Sequence, residues 1–299
     1  MTAEMTASAH VEREIRRQPE SWTRALALLP DLGGVLPARG ERVAVIGCGT
    51  SWFMAGAYAA LRESAGHGET DAFAASEFPA GRDYDRVVAI SRSGTTTEVV
   101  RAVRDTHSPV LALTALADGP VARAADETVL LDFADEQSVV QTLFATTALM
   151  LLRGSLGQPL DDVIEQADTV LRNDIPARAA EQVTFLGQGW AYGVAQEAAL
   201  KMREAARWWT EAYPQMEYRH GPIAIAARGR AVWLFGTPVA GIVDDIAATG
   251  AELVNDELDP VADLIRVQLL AVAHARAAGF DPDRPRHLTR SVVLDPGAE

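Results

Sequence analysis

A dense group of hydroxyl side chains and one arginine occupies seven consecutive positions, Ser91-Arg92-Ser93-Gly94-Thr95-Thr96-Thr97. The segment follows the apolar residues 86–91 and precedes a stretch with helical spacing, so it lies where a strand ends and a helix begins. The free N–H groups and the dipole of a helix N-terminus favour an anion, and Gly94 allows close approach to the backbone. The alternative is an ordinary N-cap, which needs only one or two hydroxyls. The residues predicted to bind a phosphate are Ser91, Arg92, Ser93 and Thr96.

A second polar turn, 47–51, follows the apolar segment 42–47. Trp52 occupies the position of the third glycine of a dinucleotide fingerprint, so a nicotinamide cofactor is not expected. Ligands of open parallel sheets bind where such turns meet, at the carboxyl ends of the strands. We interpret Gly49, Thr50 and Ser51 as sugar contacts beside the phosphate; a purely structural turn is the alternative. Cys48 is interpreted as a small buried residue, because no acid–base partner can be assigned to it as a nucleophile.

Three ionisable residues, Glu197, Lys201 and Glu204, have the spacing i, i+4 and i+7, which places them on one face of a helix. A carboxylate in this group could take a proton from a carbon next to a carbonyl. The alternative is a solvated ladder of salt bridges. His220, in the loop 219–222, is the type of side chain best suited to proton transfer near neutral pH, and a plain surface position is its alternative. The histidines have no metal-ligand spacing, so neither a metal nor a cofactor is expected.

Strand-like and helix-like segments alternate along the chain, which predicts an α/β fold with parallel sheets covered by helices. The predicted strands are 42–47, 86–91, 109–115, 128–133, 182–187 and 230–236, with a short strand ending the loop-like tail at 294. The predicted helices are 4–29, 52–64, 98–106, 137–156, 193–209 and 259–278. Gln141 and Thr142 stand at the opening of the fourth helix, where Gln141 is interpreted either as a sugar contact or as part of the cap.

The two halves of the chain align at a fixed offset of 140 residues. Val43 then matches Val183, and Gly47 matches Gly187, within the same strand–turn–helix context. This pattern predicts two related α/β units, joined near residues 155–180.

Composition limits the partners. The 299 residues carry a formal net charge of −14, which repels nucleic acid and anionic membranes. The single cysteine favours a reducing compartment. The first 20 residues lack the apolar core of a signal peptide, and no segment has the length and apolar character of a membrane span, so a cytoplasmic location is expected.

Five motifs occur in order: VIGCGTS, AISRSGTTTE, FLGQG…E…ALKMRE, EAY…YRHGPIA and PRHLTRSV. Together they resemble the sugar isomerase (SIS) family and, within it, the isomerase half of glucosamine-6-phosphate synthase, over residues 40–299. The resemblance implies two SIS units, each with a five-stranded parallel sheet in a flavodoxin-like three-layer sandwich. The implied parts are a helical segment at 1–39, a first unit at 40–160 and a second unit at 175–299. It also implies a homodimer with shared active sites.

The resemblance implies roles for individual residues. Glu204 would be the base at C1 and C2 of the sugar, with Glu197 and Lys201 nearby, and His220 would help to open the ring, in the site of the neighbouring subunit. Arg290 would contact the sugar, and it stands where the synthases have a lysine that forms a Schiff base. A guanidinium is a poor imine former. The resemblance does not include the glutaminase half, so glutamine hydrolysis is not expected.

The expected function is metabolism of an amino-sugar 6-phosphate, either glucosamine 6-phosphate or N-acetylglucosamine 6-phosphate, by removal of the C2 proton. An isomerase or deaminase is preferred. One alternative is a dehydratase (lyase) that eliminates the C3 hydroxyl of N-acetylglucosamine 6-phosphate. Another is a non-catalytic sugar-phosphate sensor, which is disfavoured because about 40 N-terminal residues are too few for a helix-turn-helix domain.

Overall fold

The computed structural model describes residues 9–294, which divide into two compact units, each built on its own parallel sheet. The first-sheet unit comprises 20–136, 143–160 and the tail from 289. The second-sheet unit comprises the residues up to 19, 137–142 and 161–288. Each unit is therefore made of three separate stretches of the chain, whereas the sequence analysis expects each unit to be one continuous stretch.

The strands and helices alternate as the sequence predicts. The strands are β1 (Val43–Gly47), β2 (Thr70–Ala74), β3 (Arg86–Ile90), β4 (Val110–Thr114), β5 (Glu127–Leu130), β6 (Val183–Gly187), β7 (Thr210–Pro214), β8 (Ala231–Leu234) and β9 (Glu252–Val254). The helices are α1 (Ala9–Arg16), α2 (Gln18–Ala27), α3 (Thr50–Ser64), α4 (Thr97–Asp105), α5 (Pro120–Ala124), α6 (Phe144–Ser155), α7 (Asp161–Val170), α8 (Ala191–Ala206), α9 (Ile242–Thr249) and α10 (Pro260–Ala277).

The α/β fold class is confirmed, with one difference in the second sheet. The first sheet has five parallel strands in the order β2-β1-β3-β4-β5. Within residues 9–294 the second sheet has four parallel strands, in the order β7-β6-β8-β9, where the resemblance implies five. After β9 the chain enters α10 almost at once, because the Asp259 side chain caps that helix by accepting a hydrogen bond from Val261 N at 3.0 Å.

The internal repeat is confirmed in the pairing of the strands. In the first sheet Val43 of β1 lies opposite Thr70 of β2, and in the second sheet Val183 of β6 lies opposite Thr210 of β7. Val183 lies 140 positions after Val43, and Thr210 lies 140 positions after Thr70. The two sheets therefore begin with the same strand–helix–strand unit.

The matched glycines have one physical cause. A Cβ atom on Gly47 would lie 2.7 Å from the backbone carbon of Ser51, and one on Gly187 would lie 2.5 Å from Tyr192 N. In both units the helix packs too closely on the end of the strand to admit a side chain. Gly49 and Gly189 follow with φ of 54° and 56°, a region that other residues rarely adopt.

The long apolar helix predicted at 137–156 is wrong at its start. α6 begins only at Phe144, because the carboxylate of Glu136 accepts hydrogen bonds from Leu143 N at 2.7 Å and Phe144 N at 3.2 Å. This side chain satisfies N–H groups that a helix start leaves free. Gln141 therefore lies in an irregular segment before the helix and does not open it.

Other local predictions also need correction. The predicted link at 155–180 contains α7, and the predicted helix 4–29 is two helices, with residues 4–8 outside the described part. The predicted terminal strand is absent at 291–294; there Val292 O accepts a hydrogen bond from Thr97 N, so the tail pairs with a helix start. Within residues 9–294, no helix combines the length and the apolar character that crossing a membrane requires.

Candidate functional site

The hydroxyl-rich turn at 91–97 connects β3 to α4 in the first-sheet unit. Ser91, Arg92 and Ser93 are buried. Gly94 has φ of 59°, and a Cβ atom there would lie 3.2 Å from the hydroxyl of Thr114 at the end of β4. The turn is thus packed closely against the neighbouring strand, and the glycine is required for that packing.

The hydroxyls of this turn do not act as an ordinary helix cap. Thr96 occupies the N-cap position of α4, but its side chain makes no capping hydrogen bond. Ser93 Oγ instead accepts hydrogen bonds from Thr95 N at 3.3 Å and from Thr95 Oγ1 at 3.0 Å, within the turn. The plain-cap alternative therefore lacks its defining bond, and binding of a phosphate stays a prediction.

The Arg92 guanidinium points into the protein. Its Nη2 donates a hydrogen bond to Arg290 O at 2.7 Å, and its Nη1 lies 3.9 Å from Glu136 Oε2, with both side chains fully buried. Glu136 is the residue that caps α6. Sequence reasoning assigned Arg92 to the phosphate and missed Glu136. In the structure Arg92 also joins the turn to the tail.

The tail from 290 to 294 runs along the turn. Thr95 Oγ1 donates to Ser291 Oγ at 2.9 Å, Thr97 N donates to Val292 O at 3.1 Å, and Leu294 N donates to Thr97 Oγ1 at 2.9 Å. These contacts join residues almost 200 positions apart, which is why the sequence pattern could not reveal them.

Arg290, predicted to contact the sugar, lies in this tail. Its guanidinium forms an ion pair with Asp135, and its side chain is 40% exposed. Its backbone carbonyl accepts the hydrogen bond from Arg92. The structure thus brings Arg290 next to the hydroxyl-rich turn, with its positive charge directed at a carboxylate that the sequence analysis did not single out.

The turn at 47–51 lies at the same edge of the sheet as the turn at 91–97, because β1 and β3 are parallel neighbours with Ile46 opposite Ala89. Gly49 is the N-cap of α3. Thr50 and Ser51 form the first turn of that helix and are only 5% and 3% exposed. The structure therefore brings the predicted phosphate and sugar turns together, with both hydroxyls largely enclosed by protein.

Cys48 does not have the environment of a nucleophile. Burial and, to a smaller extent, the Glu98 carboxylate together raise the pKa of its thiol to about 11. The reactive thiolate is therefore scarce at neutral pH. This favours the interpretation of Cys48 as a packing residue.

The predicted acid–base group lies on α8 in the second-sheet unit. Lys201 and Glu197 are buried, with Lys201 Nζ 3.5 Å from Glu197 Oε1. Lys201 also forms an ion pair with Glu204, whose side chain is 19% exposed. Such burial excludes the solvated ladder of salt bridges, and Glu204 is the member of the group that a ligand can reach.

Glu204 opens onto a cavity of about 280 Å³. The lining residues are Arg203, Glu204, Arg207, Arg286, His287 and Leu288. Arg207 and His287 have φ of 56° and 66°, the left-handed region that side chains rarely adopt. Backbone strain of this kind clusters at functional sites. Sequence reasoning found Glu204 but not this lining, because strain and distant segments leave no local signal.

Two further predicted residues lie elsewhere in the second-sheet unit. His220 is exposed at the end of a short 3₁₀ turn, where its N–H donates to Glu217 O at 3.0 Å, and it does not line the Glu204 cavity. Gln141 precedes α6, and its Oε1 is buried without a hydrogen-bond partner among the described residues. In the part of the chain that the structure describes, no group of His, Cys, Asp or Glu side chains is arranged to hold a metal ion.

Comparison with known proteins agrees with this architecture. Residues 38–154 match the model of the SIS domain. The glutamine–fructose-6-phosphate aminotransferase (isomerizing) of Methanothermobacter thermautotrophicus is 26% identical over 95% of this chain and 57% of its own length. The corresponding protein of Sulfurisphaera tokodaii is 29% identical over 85% of this chain and 50% of its own length. The chain thus spans about half the length of the curated relatives it matches.

Solved structures show the same fold. A glucosamine-6-phosphate deaminase from Thermotoga maritima superposes with a TM-score of 0.79 at 21% identity, covering 95% of this chain and 99% of that one. The C-terminal domain of glucosamine-fructose-6-phosphate aminotransferase from Francisella tularensis gives a TM-score of 0.79 at 22% identity, covering 95% and 100%. Residues 38–154 therefore match the SIS domain, and the chain is homologous to the isomerase domain of glutamine–fructose-6-phosphate aminotransferase.

Proposed function

We propose that the protein is an enzyme of amino-sugar 6-phosphate metabolism that removes the C2 proton of an open-chain hexosamine 6-phosphate. The substrate is glucosamine 6-phosphate or N-acetylglucosamine 6-phosphate, and the reaction is an isomerisation or deamination without glutamine hydrolysis. One observation carries the proposal: Glu204 is partly exposed in a cavity while it forms an ion pair with the buried Lys201. The relatives named for reactions of sugar phosphates support it.

Glu204 acts as the base in this proposal. Lys201 forms an ion pair with the Glu204 carboxylate, and Glu197 is the second carboxylate beside Lys201. The carboxylate takes the proton from C2, and the electron pair moves toward the C1 carbonyl to give an enediol-type intermediate. Return of a proton to C1 leaves a 2-imino sugar, which is the isomerised product. Addition of water to the imine and loss of ammonia complete the deamination.

The hydroxyl-rich turn binds the 6-phosphate in this proposal. The supporting observations are the N-terminus of α4, which lacks a side-chain cap, and the close approach that Gly94 permits. Thr50 and Ser51 lie at the same edge of the sheet and contact the sugar. From the resemblance we further propose a cytoplasmic homodimer, in which His220 helps to open the sugar ring in the neighbouring subunit's site.

A dehydratase is the second candidate, and the position of Arg290 favours it. An arginine in an ion pair with Asp135 cannot readily form a Schiff base with a keto sugar. If the nitrogen is acylated, the same C2 carbanion can expel the C3 hydroxyl, which leaves with a proton as water.

The test uses NMR to measure loss of the C2–H signal in deuterated water. The two substrates are glucosamine 6-phosphate and N-acetylglucosamine 6-phosphate. Wild type is expected to exchange or consume this proton, and Glu204→Gln is expected to lower the rate about 10²- to 10⁴-fold, the usual contribution of a general base. Glu165→Gln, an exposed position on α7, is the matched control and should leave the rate unchanged.

The products separate the candidates. A product that keeps its nitrogen indicates isomerisation, a ketose released together with free ammonia indicates deamination, and an unsaturated sugar indicates dehydration. No change of C2–H with either sugar, together with tight binding of both, would refute proton abstraction and favour the sensor alternative.

A further inference from the structure

The cavity beside Glu204 is lined mainly by cationic side chains. Arg203, Arg207 and Arg286 contribute guanidinium groups, and Glu204 contributes the one carboxylate of the lining. That carboxylate already has Lys201 as a partner. The cavity thus concentrates positive charge in a chain whose net charge is −14. Such a local reversal of sign attracts anions.

Two of these arginines are held in place by contacts with neighbouring residues. Arg203 Nη1 donates to Thr210 O at 3.2 Å. The carboxylates of Glu204 and Glu197 also act on Arg203 and partly compensate its charge. The Arg207 guanidinium lies over the ring of Phe280, 3.9 Å from its centroid, and its backbone is in the left-handed region. This contact positions the Arg207 cation without neutralising it.

Arg286 carries the most accessible charge. Within residues 9–294 its side chain takes part in no hydrogen bond, ion pair or cation–π contact, and it is exposed at the cavity. The next residue, His287, has φ of 66°, so the backbone is strained where it presents Arg286.

The dipole of α8 does not explain this arrangement by itself. Arg203 and Arg207 lie at the C-terminal end of that helix, where cations are generally favourable. Arg286 and His287 belong to a separate segment after α10, so their presence at this cavity is not explained by a position in the last turn of α8. Cations from two segments converge on one cavity, and an anionic ligand accounts for both.

We propose that this cavity binds a second anionic group of the substrate, distinct from the 6-phosphate. The group is a carboxylate on the substituent of the carbon that Glu204 deprotonates, so the substrate class is amino-sugar 6-phosphates with an acidic N-substituent. This rests on the proposed function, which makes Glu204 the base. Planar guanidinium groups bind a carboxylate through paired hydrogen bonds, so the arginines of this cavity suit such a substituent.

The first test compares two substrates, N-succinyl- and N-acetylglucosamine 6-phosphate, by C2–H exchange in deuterated water. Wild type is expected to show a kcat/KM about 10-fold or more higher for the succinyl compound, the value of a hydrogen bond to a charged group. Arg286→Ala should remove that preference and change the rate with the acetyl compound less than about 3-fold. The exposed Arg228→Ala is the control and should retain the preference. Equal rates with both substrates in wild type, or an equal loss with both in Arg286→Ala, would overturn the proposal.

The second test measures anion binding without turnover, by calorimetry with malonate and with inorganic phosphate. Malonate is expected to bind wild type and Ser93→Ala alike and to bind Arg286→Ala at least about 10-fold more weakly. If phosphate binds there as tightly as malonate and also depends on Arg286, the cavity is a phosphate site and the second-anion proposal is wrong. If malonate binding depends on Arg286 but no sugar loses its C2–H, the anion cavity stands and the proposed function fails.

Discussion

The helices α3 and α8 occupy equivalent places in the two units, since each follows the first strand of its sheet across a matched glycine turn. At the offset of 140, the positions of Glu197, Lys201 and Glu204 correspond to Ala57, Leu61 and Ser64. The first two of these α3 residues are buried, as Glu197 and Lys201 are. The same helix–sheet packing is therefore achieved without charge at these positions.

This difference indicates why the charges on α8 are informative. Burial of an ion pair is often no more stabilising than apolar residues of similar volume. The fold itself does not require Glu197 or Lys201, because the sister helix packs with alanine and leucine. In the proposed function these charges serve Glu204, whose carboxylate forms an ion pair with Lys201.

The turns after β3 and β8 differ in the opposite sense. The segment 236–242 is equivalent to 91–97. This follows from the strand register, since Val43 pairs with Arg86 in the first sheet and Val183 pairs with Ala231 in the second. The second turn has one hydroxyl residue, Thr237, and Pro238 lacks an N–H donor. Each unit therefore lacks the polar feature that the other contains.

The largest expected effect comes from giving α8 the residues of α3. Glu197→Ala combined with Lys201→Leu should lower the rate of C2–H exchange about 100-fold or more, because Glu204 loses the cation that holds it. Its free energy of unfolding should stay equal to that of wild type or rise by about 1–4 kcal/mol. Urea unfolding and the NMR exchange assay measure the two quantities.

The single variant Lys201→Leu is the control for this double change. It leaves Glu197 buried without its lysine, so the free energy of unfolding should fall by about 3–5 kcal/mol. If the double variant keeps its activity, or unfolds as easily as the single variant, the charges on α8 stabilise the fold and do not support catalysis. The difference between α3 and α8 would then say nothing about function.

The two turns give the next effect. Ser93→Ala should raise KM for a phosphorylated sugar about 10-fold, since a hydrogen bond to a charged group is lost, and should change kcat less. Thr237→Ala, in the equivalent turn, should leave both constants unchanged. Steady-state kinetics on the two variants make the comparison. Urea unfolding checks whether loss of the bonds between Ser93 Oγ and Thr95 lowers the stability of the fold. Equal changes in both variants would contradict the assignment of the phosphate to the first turn.

The elements that sequence analysis found are those with a short-range physical cause. The repeat was visible because a Cβ atom would lie 2.7 Å from the nearest backbone atom at Gly47 and 2.2 Å at Gly187, so both positions require glycine. Strands β2, β7 and β9 were missed, since they are partly exposed and carry polar residues that hide an apolar run. The start of α6 was misplaced because one carboxylate, Glu136, decides where it begins.

The candidate site was predictable to the same extent. Spacing alone placed Glu197, Lys201 and Glu204 on one helix face, but burial distinguishes a functional group from a surface ladder, and burial depends on tertiary packing. Arg286 reaches the Glu204 cavity from more than 80 residues away. The contacts of the tail with Thr95 and Thr97 are longer in range still.

The cores of the two units also differ beside one strand residue that contacts a buried acid, and this difference gives the smallest predicted effect. Trp233 of β8 corresponds to Val88 of β3 and donates its indole N–H to Asp263 of α10 at 2.8 Å. Burial raises the pKa of Asp263 to about 6, and Arg266 only partly offsets this.

The folded protein therefore favours the protonated acid, so the stability that Asp263 contributes is complete below its ordinary pKa of 3.8 and is lost as the pH rises through about 6. Relative to Asp263→Asn, wild type should gain about 1 kcal/mol in free energy of unfolding between pH 7 and pH 5. The comparison with asparagine removes the effect of other carboxylates that titrate in the same range. A difference between the two proteins that stays constant with pH, or that shrinks on acidification, would mean that the ion pair with Arg266 outweighs burial. The core of the second-sheet unit would then accommodate the ionised Asp263 carboxylate because Arg266 pairs with it, and Asp263 would not have to be protonated.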